Sequence, residues 1–233
     1  MNPTRRTLLF DGDDTLWDNN VHFERAILAW LDVVADEGSR WSAEAARAEL
    51  DRIEESNFEH GGVGKARFGI HMRLAAEVVV PAPSVAGALA RIDGILAAMP
   101  TTEVHPFPGV PEVLARLGER HTLGLVTRGD PAEQWAKIDA SGLRDRFARI
   151  AVVAHKNRET YRGLVEAWRL DPARTWMIGN SPRSDIAPAR AAGLRAVLVT
   201  HASSWHLEHI ELDPADDGVR SIARFEELET LFA

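Results

Sequence analysis

Thr7-Leu8-Leu9-Phe10-Asp11-Gly12-Asp13-Asp14-Thr15-Leu16 is the stretch whose reading decides the fold. A short apolar run that stops abruptly at acids has the pattern of a buried strand opening into an acidic loop. Two further apolar runs end in polar signatures. Val126 leads into Thr127-Arg128-Gly129-Asp130, and Ile178 into Gly179-Asn180-Ser181-Pro182-Arg183-Ser184-Asp185. In an open parallel sheet, ligands bind beyond the carboxyl ends of the strands, so these three loops are expected to meet in one crevice.

After Pro106-Phe107-Pro108-Gly109, helices and apolar strands alternate. The pattern predicts helices over 110–117, 131–140, 160–168 and 189–192, strands over 122–126, 150–153, 175–178 and 196–199, and an amphipathic tail helix over 224–232. Strands separated by helices imply a parallel sheet with both faces covered.

Between the first strand and this alternating region the periodicity is helical. Ala26, Ile27, Trp30, Leu31 and Val34 recur at three- and four-residue spacing, and Leu50, Ile53 and Phe58 are expected to continue the pattern in a second helix. Ser42 and Ser84 are expected helix N-caps, while Gly61-Gly62-Val63-Gly64 and the pair Pro81 and Pro83 mark breaks. Trp17, Trp30 and Trp41 are expected to pack, with Trp17 near enough to the acidic loop to line a pocket. The fold class that follows is α/β. Residues 1–18 and 100–233 form a Rossmann-like parallel sheet core with helices on both faces, and 19–99 form an inserted all-helical domain of about four helices.

The 233 residues are 45% hydrophobic, enough for a sizeable core. With no cysteine, disulfides, thiolate metal sites and a cysteine nucleophile are excluded. The apolar run after Met1-Asn2-Pro3-Thr4-Arg5-Arg6 is too short for a signal-peptide core, and no stretch approaches the roughly 20 apolar residues of a membrane span. A cytoplasmic protein with no membrane partner is expected. The net charge of −8 argues against a nucleic-acid partner but leaves an anionic small molecule open, because a cleft or a bound metal sets its own local field.

Asp11 and Asp13 are two residues apart, so in extended geometry both side chains point the same way. Two unit charges 4 Å apart repel by about 4 kcal/mol at an effective dielectric near 20. A magnesium ion shared by carboxylates and a substrate phosphate would resolve that conflict; a solvated acidic turn is the other reading.

Asp11-Gly12-Asp13-Asp14-Thr15-Leu16, then Thr127, then Lys156, then Gly179-Asn180-Ser181-Pro182-Arg183-Ser184-Asp185 resemble, in order, the four signature motifs of the haloacid dehalogenase-like hydrolase superfamily. The resemblance spans Thr7 to about Thr200, and the helical block resembles that family's C1-type cap. It implies a magnesium-dependent phosphatase acting on a small phosphorylated metabolite. Asp11 would be the nucleophile that forms an acyl phosphate, and Asp13 the general acid and then base, whose backbone carbonyl also reaches the metal. Family members that cleave carbon–halogen bonds typically lack the second aspartate, so Asp13 favours phosphate chemistry.

The same resemblance makes Thr127, Arg128 and Gly129 a phosphate-binding loop, with the Gly129 N–H offered to a phosphate oxygen. Lys156 would neutralise both Asp11 and the transferring phosphoryl group, with Arg158 the alternative cation. Asp185 and Asn180 join Asp11 and Asp13 around the metal. Asn180 departs from the family pattern, which more often has an acid there, and supplies a carbonyl oxygen without charge. Lys65, Arg67 and His71 in the helical block either hold a second anionic group or form an ordinary solvated face. Sugar phosphates, phosphoglycolate-like acids and nucleoside monophosphates all stand open as substrates, as does the oligomeric state. A phosphotransferase or mutase, or a catalytically weak regulatory member of the superfamily, is the competing reading.

Overall fold

The structure, a computed structural model, describes residues 5–57, 64–100, 102–200 and 205–233. Met1-Asn2-Pro3-Thr4, Phe58 and Gly61-Gly62-Val63 of the sequence reading lie outside them. The chain divides into two compact units: Met1–Asn20 with Thr102–Ala233, and Val21–Thr101.

The first unit is built on strands β1 (Thr7–Phe10), β2 (Thr122–Arg128), β3 (Arg149–Val153), β4 (Thr175–Gly179), β5 (Arg195–Val199) and β6 (Val219–Ile222). They form one six-stranded sheet in the order β3-β2-β1-β4-β5-β6, and every neighbouring pair is parallel. This is the doubly wound α/β core read from the sequence. Leu8, Leu9 and Phe10 are all fully buried, as a strand covered on both faces requires, and each contributes about 1.5–3 kcal/mol of burial. Phe10 sits in register with Leu125 of β2 and Ile178 of β4, so the residues just beyond all three strands emerge along one edge.

The second unit contains α1 (Asn20–Asp36), α2 (Ala43–Asn57), α3 (Lys65–Val79) and α4 (Val85–Ala98), with α1 beginning at the junction. Ala26, Ile27, Trp30, Val34, Leu50 and Ile53 are buried in its core, and Trp30 Nε1 donates to the Met72 carbonyl at 3.1 Å. Ser42 caps α2 by accepting the Ala45 N–H at 3.2 Å. Ser84 does not cap: it closes a 3₁₀ turn, Ala82–Ser84, and makes no side-chain bond to α4. Trp41 is 44% exposed and so is not the packing residue expected. Lys65 Nζ donates to the Met99 carbonyl at 2.7 Å, Arg67 donates to Asn57 Oδ1 at 3.2 Å, and His71 is buried 3.8 Å from Glu54. Lys65 and Arg67 thus bond within their own unit, while His71 Nε2 and Arg67 Nε are buried without a hydrogen-bond partner among the described residues.

The remaining helices of the core are α5 (Val110–Arg120), α6 (Pro131–Ala140), α7 (Arg158–Trp168), α8 (Ala187–Ala191) and α9 (Glu227–Leu231). Several boundaries differ from the expected ones for identifiable reasons. Asn157 Oδ1 accepts the Thr160 N–H at 2.8 Å, so α7 starts two residues earlier than expected. Ser181 Oγ accepts the Ser184 N–H at 2.8 Å and starts a wide turn, Pro182–Ile186, that feeds α8. Glu227 Oε1 accepts the Arg224 N–H at 2.9 Å, which ties the chain into a turn before the tail helix and shortens it. Strand β6 was not expected; its four residues include Arg220 and Ser221, both exposed, which conceals any strand period.

Candidate active site

Asp11 is the first residue past the central strand, held there by its N–H to the Ile178 carbonyl at 2.9 Å. Its carboxylate is buried and pairs through Oδ1 with the Lys156 ammonium. Lys156 also donates to Asp185 Oδ1 at 2.7 Å, and Asp185 Oδ2 accepts the Ser181 N–H at 3.1 Å. Three of the expected site residues, from the first, third and fourth motifs, thus form one buried triad of two acids and one base.

The electrostatics follow from that count. Burial and the facing Asp185 charge push the Asp11 carboxyl up to about 7, although Lys156 pulls the other way. Burial raises Asp185 as well, again against the pull of Lys156. Burial alone would lower Lys156, but the two carboxylates hold it above its ordinary range and therefore charged. One cation is shared between two buried anions, leaving a site that favours further positive charge.

Asn180 lies beside this triad. Its Oδ1 accepts the Thr15 hydroxyl at 3.1 Å, and its N–H donates back to Thr15 Oγ1 at 3.0 Å. Gly179 is needed for close approach, because a Cβ there would fall 2.1 Å from Asp185 Oδ2. Among the described residues no three His, Cys, Asp or Glu side chains converge as a metal-ligand set. The oxygens present still fit magnesium, a hard cation that keeps much of its water: two under-neutralised buried carboxylates, Asp11 and Asp185, with the Asn180 carbonyl beside them.

Asp13 occupies a different environment. Its Oδ1 accepts Trp17 Nε1 at 2.7 Å, and its Oδ2 accepts both Gln134 Nε2 and Lys137 Nζ at 3.0 Å. Trp17 is buried, as expected, and it turns its one polar atom onto the acidic loop. Thr127, also buried, donates its hydroxyl to Gln134 Oε1 at 2.8 Å, so the second motif is linked to Asp13 through one amide.

The rest of the expected phosphate loop is arranged differently. The Gly129 N–H donates to the Val153 carbonyl at 3.2 Å, extending the β2–β3 ladder, and is not available to a phosphate in this arrangement. Arg128 donates to Glu208 at 2.6 Å. Glu208 accepts from the Ser181 hydroxyl and, at 2.6 Å, from that of Ser184; burial would raise its carboxyl, but Arg128 and these hydroxyls hold it below the usual range. Arg128 is therefore a brace between the second and fourth motif loops.

Thr15, Gln134, Lys137 and Glu208 are polar residues of this region that sequence reasoning did not single out. Thr15 lies inside the first motif. Gln134 and Lys137 carried a signal in retrospect: they are three apart on a short helix following the second motif, and therefore share a face.

A family profile described as haloacid dehalogenase-like hydrolase matches residues 5–193. The chain is 30% identical over 224 residues to a glyceraldehyde 3-phosphate phosphatase of Methanothermobacter thermautotrophicus, spanning 89% of this chain and 93% of that protein. It is 28% identical to a protein of the same name from Pyrococcus abyssi, over 82% of this chain and 80% of that one. A haloacid dehalogenase-like family hydrolase from Xanthomonas campestris superposes with a TM-score of 0.80 at 26% identity, covering 98% of this chain and 94% of that one. With a parallel sheet in the right order, a buried aspartate at the end of its central strand and the profile matched over most of its length, this chain belongs to the haloacid dehalogenase-like hydrolase family.

Proposed function

We propose that this phosphatase hydrolyses a small phosphate monoester through a phospho-aspartate on Asp11. The observation that carries the reading is the Asp11–Lys156–Asp185 triad at the carboxyl edge of the sheet. It presents a carboxylate oxygen beside a fixed cation, an arrangement suited to attack on an anionic phosphorus. The names of the two relatives support phosphate ester hydrolysis, and a three-carbon sugar phosphate is the first substrate to try.

In the first half-reaction an Asp11 oxygen bonds to phosphorus, the bond to the leaving oxygen breaks, and Asp13 protonates that oxygen. In the second, Asp13 takes a proton from water, the water oxygen attacks the acyl phosphate, and phosphate leaves with Asp11 restored. Lys156 stays charged throughout and steadies both the Asp11 carboxylate and the transferring group. Thr127 can turn its hydroxyl from Gln134 to a phosphate oxygen. Asp11, Asp185, the Asn180 side chain and the Asp13 carbonyl would hold magnesium, which when bound offsets the phosphate charge.

By family membership the helical unit is proposed as the cap that selects the substrate. A cysteine-free sequence suits the cytoplasm, and among the described residues no helix is long and apolar enough to cross a membrane. The test is phosphate release from a panel of phosphorylated metabolites, glyceraldehyde 3-phosphate included, with magnesium and with EDTA. Magnesium-dependent release is expected; no release from any ester with magnesium present would contradict the assignment.

A further inference from the structure

Three buried side chains meet the carboxylate of Asp13 without taking part in the chemistry above: Trp17 on Oδ1, and on Oδ2 Gln134 and Lys137, one turn apart on α6. Burying a lysine is expensive unless its ammonium is fully engaged. Here three oxygens surround it, Asp13 Oδ2 at 3.0 Å, Asn19 Oδ1 at 2.7 Å and Glu133 Oε1 at 3.4 Å. Gln134 is equally constrained, since its Oε1 accepts from Thr127 while its Nε2 donates to Asp13.

We propose that Lys137 and Gln134 are the positioning residues of Asp13: together they fill both acceptor sites of Oδ2 and confine the proton that Asp13 exchanges to Oδ1. A carboxylate offers about four lone-pair sites, two on each oxygen. Lys137 and Gln134 take the two on Oδ2, and Trp17 Nε1 takes one on Oδ1. The fourth site, on Oδ1, is where the proton must be carried. An acid that could rotate would present its proton in several directions, and a reacting group held in one geometry gains rate without any new contact to substrate. Before Thr127 turns to a phosphate, the same Gln134 accepts its hydroxyl, so the amide that positions the acid also holds the second motif loop in the resting arrangement.

This inference rests on Asp13 being the acid and base, and the experiment separates the two claims. Release of the leaving group is measured in the first turnover, enzyme in excess and magnesium present, for an alkyl phosphate and for p-nitrophenyl phosphate. An alkoxide needs a proton to depart; p-nitrophenolate does not. Lys137→Met is expected to slow the alkyl ester by about tenfold or more while changing the aryl ester by less than about threefold. A merely structural role would slow both alike. Gln134→Met, expected to act in the same direction, carries the test if Lys137→Met does not fold by thermal unfolding. Equal effects on both esters, or no effect on either, overturn the proposal. Asp13→Asn is run beside them: if it too is unselective, the acid–base reading itself fails, whereas a selective Asp13→Asn with unselective Lys137 and Gln134 variants overturns only the positioning role.

Discussion

Thr15 Oγ1 and Asn180 are joined by two hydrogen bonds, one at 3.1 Å to the Asn180 Oδ1 and one at 3.0 Å from its N–H. The reciprocal pair fixes the first loop to the fourth and holds the Asn180 carbonyl oxygen on the Thr15 hydroxyl, which also lies 3.5 Å from Asp11 Oδ2. An aspartate at 180 could still accept the Thr15 hydroxyl, so the arrangement tolerates the change while gaining a negative charge. Asn180→Asp is expected to lower the magnesium concentration needed for half-maximal activity, without reordering substrate preference. Magnesium titration of both proteins at saturating substrate checks this, and an unchanged or higher requirement would place position 180 away from the ion.

Lys156 is the only basic side chain that the structure pairs with the Asp11 and Asp185 carboxylates among the described residues. Lys156→Met leaves two buried carboxylates facing each other. Removing one partner of a buried ion pair costs about 3–5 kcal/mol, and that loss is expected in urea unfolding without divalent metal. Magnesium should then stabilise the variant more than the wild type, because the ion supplies the missing positive charge. Unfolding midpoints with magnesium and with EDTA decide it; a variant as stable as wild type in EDTA would mean that Asp11 and Asp185 do not need this cation.

Asp14 gives a pH prediction. It adopts a positive φ of 59°, and its Oδ1 accepts the N–H groups of Asn19 and Asn20 at 2.8 Å each. Burial pushes its carboxyl from 3.8 up to about 7, outweighing those two hydrogen bonds. A pKa raised in the folded state means that the folded protein holds the proton more tightly. The stability this gives is complete below the unfolded value and is lost as pH rises through about 7. Asparagine tolerates the left-handed backbone, keeps an acceptor oxygen and never ionises. Asp14→Asn should therefore gain in melting temperature relative to wild type as pH rises from about 4 to about 7, and hold that gain above it. A gap that stays constant across that range would contradict the assignment.

Much of the core was legible because it rests on abrupt contrasts. Phe10 against Asp11, Val126 against Thr127 and Ile178 against Gly179-Asn180 mark the strand ends, and the register of β1 with β2 and β4 brings them to one edge. What escaped was written in residues whose role depends on a partner remote in sequence. Lys137 reads as one more polar residue of an amphipathic helix until Asp13, 124 positions away, is folded onto it. Glu208 follows the last expected strand and has no pattern of its own; its meaning comes from Arg128, 80 positions earlier. Arg128 and Gly129 were assigned by motif, and the structure gives the first to Glu208 and the N–H of the second to Val153. Edge strand β6 was missed for a related reason, since a short strand with one exposed stretch carries almost no period.

The central claim is that phosphorus is transferred to Asp11, and it is tested most directly by trapping the acyl phosphate. Enzyme turning over its best ester with magnesium is quenched with borohydride, which reduces an aspartyl phosphate to homoserine, and the peptide carrying residue 11 is sequenced by mass spectrometry. The account predicts homoserine at position 11, only when substrate is present, and neither trapped residue nor phosphate release from Asp11→Asn. Substantial ester hydrolysis by Asp11→Asn, or reduction at any other carboxylate with position 11 intact, would contradict it.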